Sequence, residues 1–128
     1  MSSTRASESP LTPDVLDDVW DRLARAADDR AHPMRLHTVA NVDGSGRPDA
    51  RILVLRGADR NTGRLWYHTD LRSRKVMQLR GASDVCAVCY DDRDGTQLRL
   101  QGTVSIHHDD ALTDQHWAQM DLAVRRAY

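Results

Sequence analysis

The sequence predicts a mainly β, α+β fold: a small barrel of antiparallel strands with a few flanking helices. Three observations predict it. Between Met34 and Ile106 much of the chain alternates in polarity with a period of two, as half-buried strands do. Local turn chemistry cuts this stretch at Asp43-Gly44-Ser45-Gly46, Asn61-Thr62-Gly63 and Asp94-Gly95. Helical spacing is confined to a few segments, so strands outnumber helices and must close on one another to bury their apolar faces.

The elements follow in order. Asp14 to Arg30 carries Leu16, Val19, Trp20, Leu23 and Ala27 as one apolar stripe, with acids early and Thr12 or Asp14 placed to cap, which predicts an amphipathic helix. From Met34 the period becomes two: Met34, Leu36, Thr38 and Ala40 alternate with Arg35, His37 and Val39 as a first strand. A second strand runs from Pro48 or Asp49 to Arg56, and a third from Arg64 to Thr69 with Leu65 and Tyr67 on one face, completing a meander. Ser73 to Arg80 has Val76, Met77 and Leu79 at helical spacing, ended by Gly81. Val85 to Tyr90 and Thr96 to Ile106 then form a strand pair around Asp94-Gly95. Asp109-Asp110 opens a last helix holding Leu112, Trp117 and Met120 and running toward Tyr128. Met1 to Pro13, rich in Ser, Thr and Pro, reads as a disordered tail, leaving 14–128 as one domain.

Composition narrows the function classes. With 18 Lys+Arg against 19 Asp+Glu in 128 residues, the net charge of −1 gives no global pull toward nucleic acid or an anionic membrane. Any anion must be bound locally. The chain has no Phe and a mean hydropathy of −0.63, so its core is aliphatic and its surface well charged. The longest aliphatic run, Ile52-Leu53-Val54-Leu55, is closed by Arg51 and Arg56, far short of the ~20 residues a spanning helix needs. Two cysteines and no apolar leader point to the reducing cytoplasm.

Several motifs lose their chemical reading in context. Cys86 and Cys89 have C-x-x-C spacing, but inside a strand they point to opposite faces and cannot chelate one ion. Six scattered histidines complete no metal motif. Gly44-Ser45-Gly46 starts like a dinucleotide fingerprint, yet Pro48 and a strand follow where a helix belongs. Ser73, Ser83 and Ser105 lack a nucleophile-elbow context.

The informative segment is Tyr67-His68-Thr69-Asp70-Leu71-Arg72-Ser73-Arg74-Lys75, where a strand passes into a helix opening with Ser-Arg-Lys. Free N–H groups, a hydroxyl and two adjacent cations converge there, and cations opposing a helix dipole gain from a bound anion. Arg51, at the edge of an apolar strand, needs a partner of its own. Gln97 opens a later strand as a third polar point.

In order and spacing, Ala50-Arg51-Ile52-Leu53-Val54-Leu55-Arg56, His68-Thr69-Asp70-Leu71-Arg72-Ser73-Arg74-Lys75 and Gln97-Leu98-Arg99-Leu100-Gln101-Gly102 resemble the signature segments of the pyridoxamine 5′-phosphate oxidase-like flavoproteins. The likeness covers roughly residues 34 to 107. It implies an FMN-binding split β-barrel, a homodimer with FMN at the interface, and a flavin-dependent oxidoreductase acting on a small-molecule substrate. By the same resemblance, Arg51, Arg74 and Lys75 contact the FMN phosphate, with hydroxyl hydrogen bonds from Thr69 and Ser73. The backbone of Ile52, Leu53, Val54 and Leu55 lines the isoalloxazine, and Gln97 reaches its polar edge. Arg56 stands where the family commonly has Lys, and His68 where it often has an aromatic residue. Where pyridoxamine phosphate oxidases carry a Tyr and an Arg for substrate phosphate, this chain has Gln115 and Gln119, and the resemblance leaves the family's C-terminal segment without a counterpart up to Tyr128, as expected of either a minimal relative or a truncated sequence. No residue is assigned as a catalytic acid or base. A deazaflavin-dependent oxidoreductase on the same barrel, and a non-catalytic flavin- or haem-binding module, are the alternative readings.

Overall fold

The computed structural model describes residues 12–69, 83–108 and 116–127. Helix α1 (Pro13–Asp28) is followed by a 3₁₀ turn (Pro33–Arg35) and six strands: β1 (Leu36–Val42), β2 (Pro48–Asp59), β3 (Arg64–Thr69), β4 (Ser83–Asp91), β5 (Thr96–His108) and β6 (His116–Ala127). All neighbouring pairs are antiparallel, and the sheet closes as a barrel in the order β1-β2-β3-β6-β5-β4. The expected mainly β, split-barrel architecture is what the chain adopts.

α1 begins at Pro13 because Thr12 caps it: the Thr12 Oγ1 accepts the Val15 N–H at 3.3 Å, and proline suits the first turn, where no donor is needed. Val19, Trp20, Leu23 and Ala26 are buried, with Ala27 packed at the margin. Ion pairs fasten the helix to distant turns. Arg22 bridges Asp18, Asp91 and Asp94, and Arg60 pairs with Asp17. The Arg93 and Arg22 guanidinium groups around Asp91 hold its carboxyl down to about 2. The Asp94-Gly95 turn between β4 and β5 forms as its residues demand, with Gly95 at φ 74° and its N–H bonded to Asp91 O at 2.9 Å.

The barrel interior takes Val39, Leu53, Leu55, Leu65, Tyr67, Val85, Ala87, Cys89, Leu98, Leu100, Val104 and Met120. Of the two alternating sets in β1, the interior takes His37, Val39 and Asn41, while Leu36 is left 54% exposed. Met34 is not on the strand; it is buried from the 3₁₀ turn that precedes it. His37 explains this phase. Its Nε2–H donates to Met34 O at 2.8 Å, and its Nδ1 accepts the Tyr67 hydroxyl at 2.8 Å, so a polar ring is satisfied inside an aliphatic barrel.

The last element differs from expectation. The residues from His116 onward form β6, not a helix, pairing with β3 through Leu65↔Met120 and with β5 through Val104↔Met120. Met120, Asp121 and Leu122 alternate apolar and polar with a strand period, and among the described residues this segment fills the open edges of β3 and β5. The expected helix over Ser73–Arg80 lies outside the described residues, as do Asp109-Asp110 and residues 1–11 of the expected tail; the last two tail residues, Thr12 and Pro13, are instead the cap and first residue of α1.

Closure depends on Gly102. The register slips between Leu100 and Gly102, and a Cβ at Gly102 would lie 2.2 Å from the backbone O of Asp121. Backbone cannot yield as a flexible side chain can. Gly102→Ala is expected to cost at least about 1–3 kcal/mol, the range for overpacking, read as a lowered urea midpoint.

His37 sets a pH dependence. Desolvation lowers its pKa from 6.5 to about 4, partly opposed by the Met34 carbonyl. The unfolded chain therefore takes a proton near pH 6.5 that the folded chain refuses until about pH 4, so stability is complete above 6.5 and falls as pH drops through that window. Urea unfolding at pH 7.5 and pH 5 should differ by about 2 kcal/mol on this account, and His37→Gln should remove that part of the difference.

Candidate functional site

β2 carries six of the residues to which the family resemblance points, and strand alternation divides them. Leu53 and Leu55 are buried in the barrel, and Arg51 shares their side of the strand. Ile52, Val54 and Arg56 face outward, Ile52 being 63% exposed. His68 lies opposite Val54 on the neighbouring strand and is exposed, so Ile52, Val54, Arg56 and His68 form one outward group. Thr69 ends β3, its backbone opposite His116. Ser73, Arg74 and Lys75 lie outside the described residues, between Thr69 at the end of β3 and Ser83 at the start of β4. Gln97 is exposed on β5 opposite Tyr90, and β1 and β4 stand between β5 and β2. Within one chain, the structure does not bring Gln97 to β2.

Arg51 is the most constrained of these groups. Its side chain is only 9% exposed, and Nη1 donates to Val39 O at 3.0 Å and to Asn41 Oδ1 at 2.5 Å. Nη2 sits 3.1 Å from Asp49 Oδ2, an ion pair without a hydrogen bond. Nε and Nη2 are buried with no hydrogen-bond partner. A buried donor without an acceptor costs about 1–3 kcal/mol, more when charged, and a half-used guanidinium fork is what a phosphate or carboxylate completes. In donor type, and in the two fork donors that make no hydrogen bond, Arg51 fits the phosphate of a flavin mononucleotide, which would share it with Asp49.

Beside it opens a cavity of about 810 Å³ whose walls include Asn41, Val85, Cys86, Gly102 and Leu122. Asn41 both holds Arg51 and lines this space. The volume lies in the range of small-molecule sites, and the lining is largely apolar with a few polar groups, as such sites are. Cys86 is half-buried and Cys89 buried, both as free thiols, and burial pushes the Cys89 thiol up to about 12, so it is an inert core group.

A second cavity, about 420 Å³, lies over the outward side of β1 and β2 and is walled by Arg30, Arg35, Leu36, Val54 and Arg56. Arg30 and Arg35 were invisible to motif reasoning, yet a signal existed. A hairpin centred on Ser45 places Leu36 opposite Val54, which brings the residues before Leu36 beside those after Val54.

Comparison with known proteins agrees with this geometry. The sequence profile of the pyridoxamine 5′-phosphate oxidase FMN-binding domain matches residues 17–108. A pyridoxine/pyridoxamine 5′-phosphate oxidase of Hyphomonas neptunium is 31% identical over 102 residues, 77% of this chain and 45% of the relative. One from Burkholderia mallei is 30% identical over 124 residues, 97% of this chain and 56% of the relative. The chain spans about half the length of the curated relatives it matches. Among solved structures, the general stress FMN/FAD binding protein of Xanthomonas citri superposes with a TM-score of 0.65 at 12% identity, covering 91% of this chain and 89% of that one. The haem storage protein HutZ of Vibrio cholerae gives a TM-score of 0.54 at 12% identity, covering 81% and 89%. These two likenesses are of fold alone. The match over most of the barrel and the identity to the oxidases together place the chain in the family of the pyridoxamine 5′-phosphate oxidase FMN-binding domain.

Proposed function

We propose that the protein binds FMN and acts as a flavin-dependent oxidoreductase on a small molecule, with the cofactor held between two copies of the chain. The observation that carries this reading is Arg51, a nearly buried guanidinium whose Nε and Nη2 have no hydrogen-bond partner. Its role is to hold the cofactor phosphate, with Arg74, Lys75, Ser73 and Thr69 completing the anchor. The β2 backbone from Ile52 to Leu55, with Arg56 and His68 beside it, lies along the ring. When bound, FMN supplies hydride acceptance and reoxidation, and the protein supplies position and electrostatics.

Two observations support the second copy. Gln97 is separated from β2 by two strands, roughly 14 Å at ordinary strand spacing, so a flavin touching both reaches Gln97 of another subunit more readily than its own. The outward residues Leu36, Thr38, Ala40 and Val42 of β1, opposite Val54, Ile52, Ala50 and Pro48 of β2, carry no charge, and Leu36, Ile52 and Val42 are exposed. Such a face suits an isologous contact.

A second reading, a haem-binding barrel without turnover, draws on the fold shared with the Vibrio cholerae protein. The absorption spectrum of the purified protein separates the two: flavin bands support the first and a Soret band the second. A deazaflavin is identified by mass spectrometry of the released cofactor.

Three outcomes are expected. Arg74→Ala and Lys75→Ala should each weaken FMN binding by about 1.5–3 kcal/mol, roughly ten- to 150-fold, while riboflavin, lacking the phosphate, should bind weakly and respond little. Unchanged FMN titrations in both variants would remove the phosphate anchor. Sedimentation should show a dimer strengthened by FMN, because a ligand held by both subunits couples binding to association. A monomer binding FMN stoichiometrically at every protein concentration would overturn the shared site. Turnover of pyridoxamine 5′-phosphate should be poor, since Gln115 and Gln119 supply no charge. Gln119 lies on β6 with its Nε2 donating to Asp121 Oδ1 at 3.3 Å. An ordinary micromolar KM with steady pyridoxal phosphate formation would contradict this.

A further inference from the structure

The hydrogen-bonded pair inside the barrel, His37 and Tyr67, has a chemistry that neither the packing of the core nor the cofactor reading uses. Tyr67 is 1% exposed and His37 fully buried. An apolar pair of the same size would fill the same space and leave no donor or acceptor to satisfy.

The protons of this pair are fixed by its surroundings. The Met34 carbonyl can only accept, so its 2.8 Å bond with His37 Nε2 puts the ring proton on that nitrogen and leaves Nδ1 with a lone pair. The lone pair takes the Tyr67 hydroxyl at 2.8 Å, with the two rings edge to face and their centroids 5.3 Å apart. A phenol held against a basic nitrogen, with water kept out, can give up its proton at the moment it gives up an electron.

A route for that electron lies beside the pair in the chain. Tyr67 faces inward on β3 and Trp66 outward, where the indole is half-buried and lies against Gly57: a Cβ there would be 3.0 Å from the ring. Two oxidisable aromatic groups therefore stand on the two faces of one strand, the indole toward the surface and the phenol shielded behind it.

We propose that Trp66, Tyr67 and His37 form a one-electron relay through the barrel wall, which accepts oxidising equivalents from radicals at the surface and holds them on Tyr67. An oxidant of the organic peroxyl radical class takes one electron from the Trp66 indole and, with a proton from solvent, becomes a hydroperoxide. Tyr67 refills Trp66. Its O–H bond breaks, the proton forms an N–H bond at His37 Nδ1, and a neutral phenoxyl radical remains. The imidazolium keeps both hydrogen bonds, Nε2–H to Met34 O and Nδ1–H to the phenoxyl oxygen. Burial opposes that cation, and the strong acidity of an oxidised phenol drives its formation. A one-electron reductant such as ascorbate then restores the electron through Trp66, and the proton returns from Nδ1 to the phenol oxygen. The relay goes beyond the flavin reading and needs no cofactor.

The probe is ruthenium(III) tris(bipyridine), generated by flash photolysis beside the full chain, and the readout is electron paramagnetic resonance of freeze-quenched samples. The chain has three tyrosines, so the double variant Tyr90→Phe/Tyr128→Phe leaves Tyr67 as the remaining one and the pair itself unaltered. A neutral tyrosyl radical is expected in it, with an exchangeable proton coupling that disappears in deuterium oxide and a nitrogen coupling that changes when the histidines are isotopically labelled. Trp66→Phe should slow the appearance of this signal about tenfold or more. No tyrosyl signal in the double variant, under a flash that oxidises free tyrosine, would overturn the relay. A signal without the histidine coupling would overturn His37 as the proton acceptor, and an unchanged rate in Trp66→Phe would overturn the path through the wall.

Discussion

Closure of the sheet by β6 governs the rest of the molecule. β6 pairs with β3 on one side and β5 on the other, and without it both strands would present open edges of unpaired N–H and C=O groups. Closure in turn gives every strand an inside and an outside. It commits Met120 to the interior and turns the alternation in β2 from a pattern into an assignment of roles. At Gly102 and Asp121 that closure is backbone against backbone, with no room for a Cβ.

The assignment within β2 explains how one strand supplies both the core and an outward face. Leu53 and Leu55 fill the core, whereas Ile52, Val54 and Arg56 face outward on the same few residues of chain. A slip of one residue would exchange the two sets, placing Arg56 in an aliphatic interior and two leucines in water. The β1–β2 register that prevents this runs from Leu36↔Val54 to Val42↔Pro48, anchored by the Asp43 carboxylate, whose Oδ1 accepts the Ser45 and Arg47 N–H groups at 2.9 and 3.0 Å. Arg51 is the exception inside, a charge admitted beside Asn41 because part of its fork is satisfied there.

What was legible in the sequence was local. Period-two alternation and turn dipeptides sufficed for β1 to β5, because a hairpin's partner is its sequence neighbour. Helix α1 was legible because the Thr12 cap and the stripe from Leu16 to Ala27 lie within a few turns of one another, although Pro13, read as tail, is its first residue and Ala26 is buried more fully than Ala27. β6 was not legible. Ala118, Gln119, Leu122 and Arg125 favour a helix, Asp109-Asp110 imitates its cap, and the decisive information, two unfilled edges, lies in strands far away in the chain. The same limit applies to the candidate site. The contiguous run from Arg51 to Arg56 stood out, whereas the convergence of Arg30 and Arg35 with Arg56 required the hairpin register. Motif order also brought Gln97 together with β2, although two strands separate them in the chain.

The position of the closing strand bears on how the protein is made. Residues 116–127 are the last described part of the chain, and they must reach back to β3, whose pairing partners lie about fifty residues earlier. During synthesis, β1 to β5 can assemble only as an open sheet with an aliphatic face and two free edges. Cooperative burial must wait until β6 has left the ribosome. The nascent sheet therefore keeps its two edges unpaired over a longer interval than a fold whose first and last strands close early.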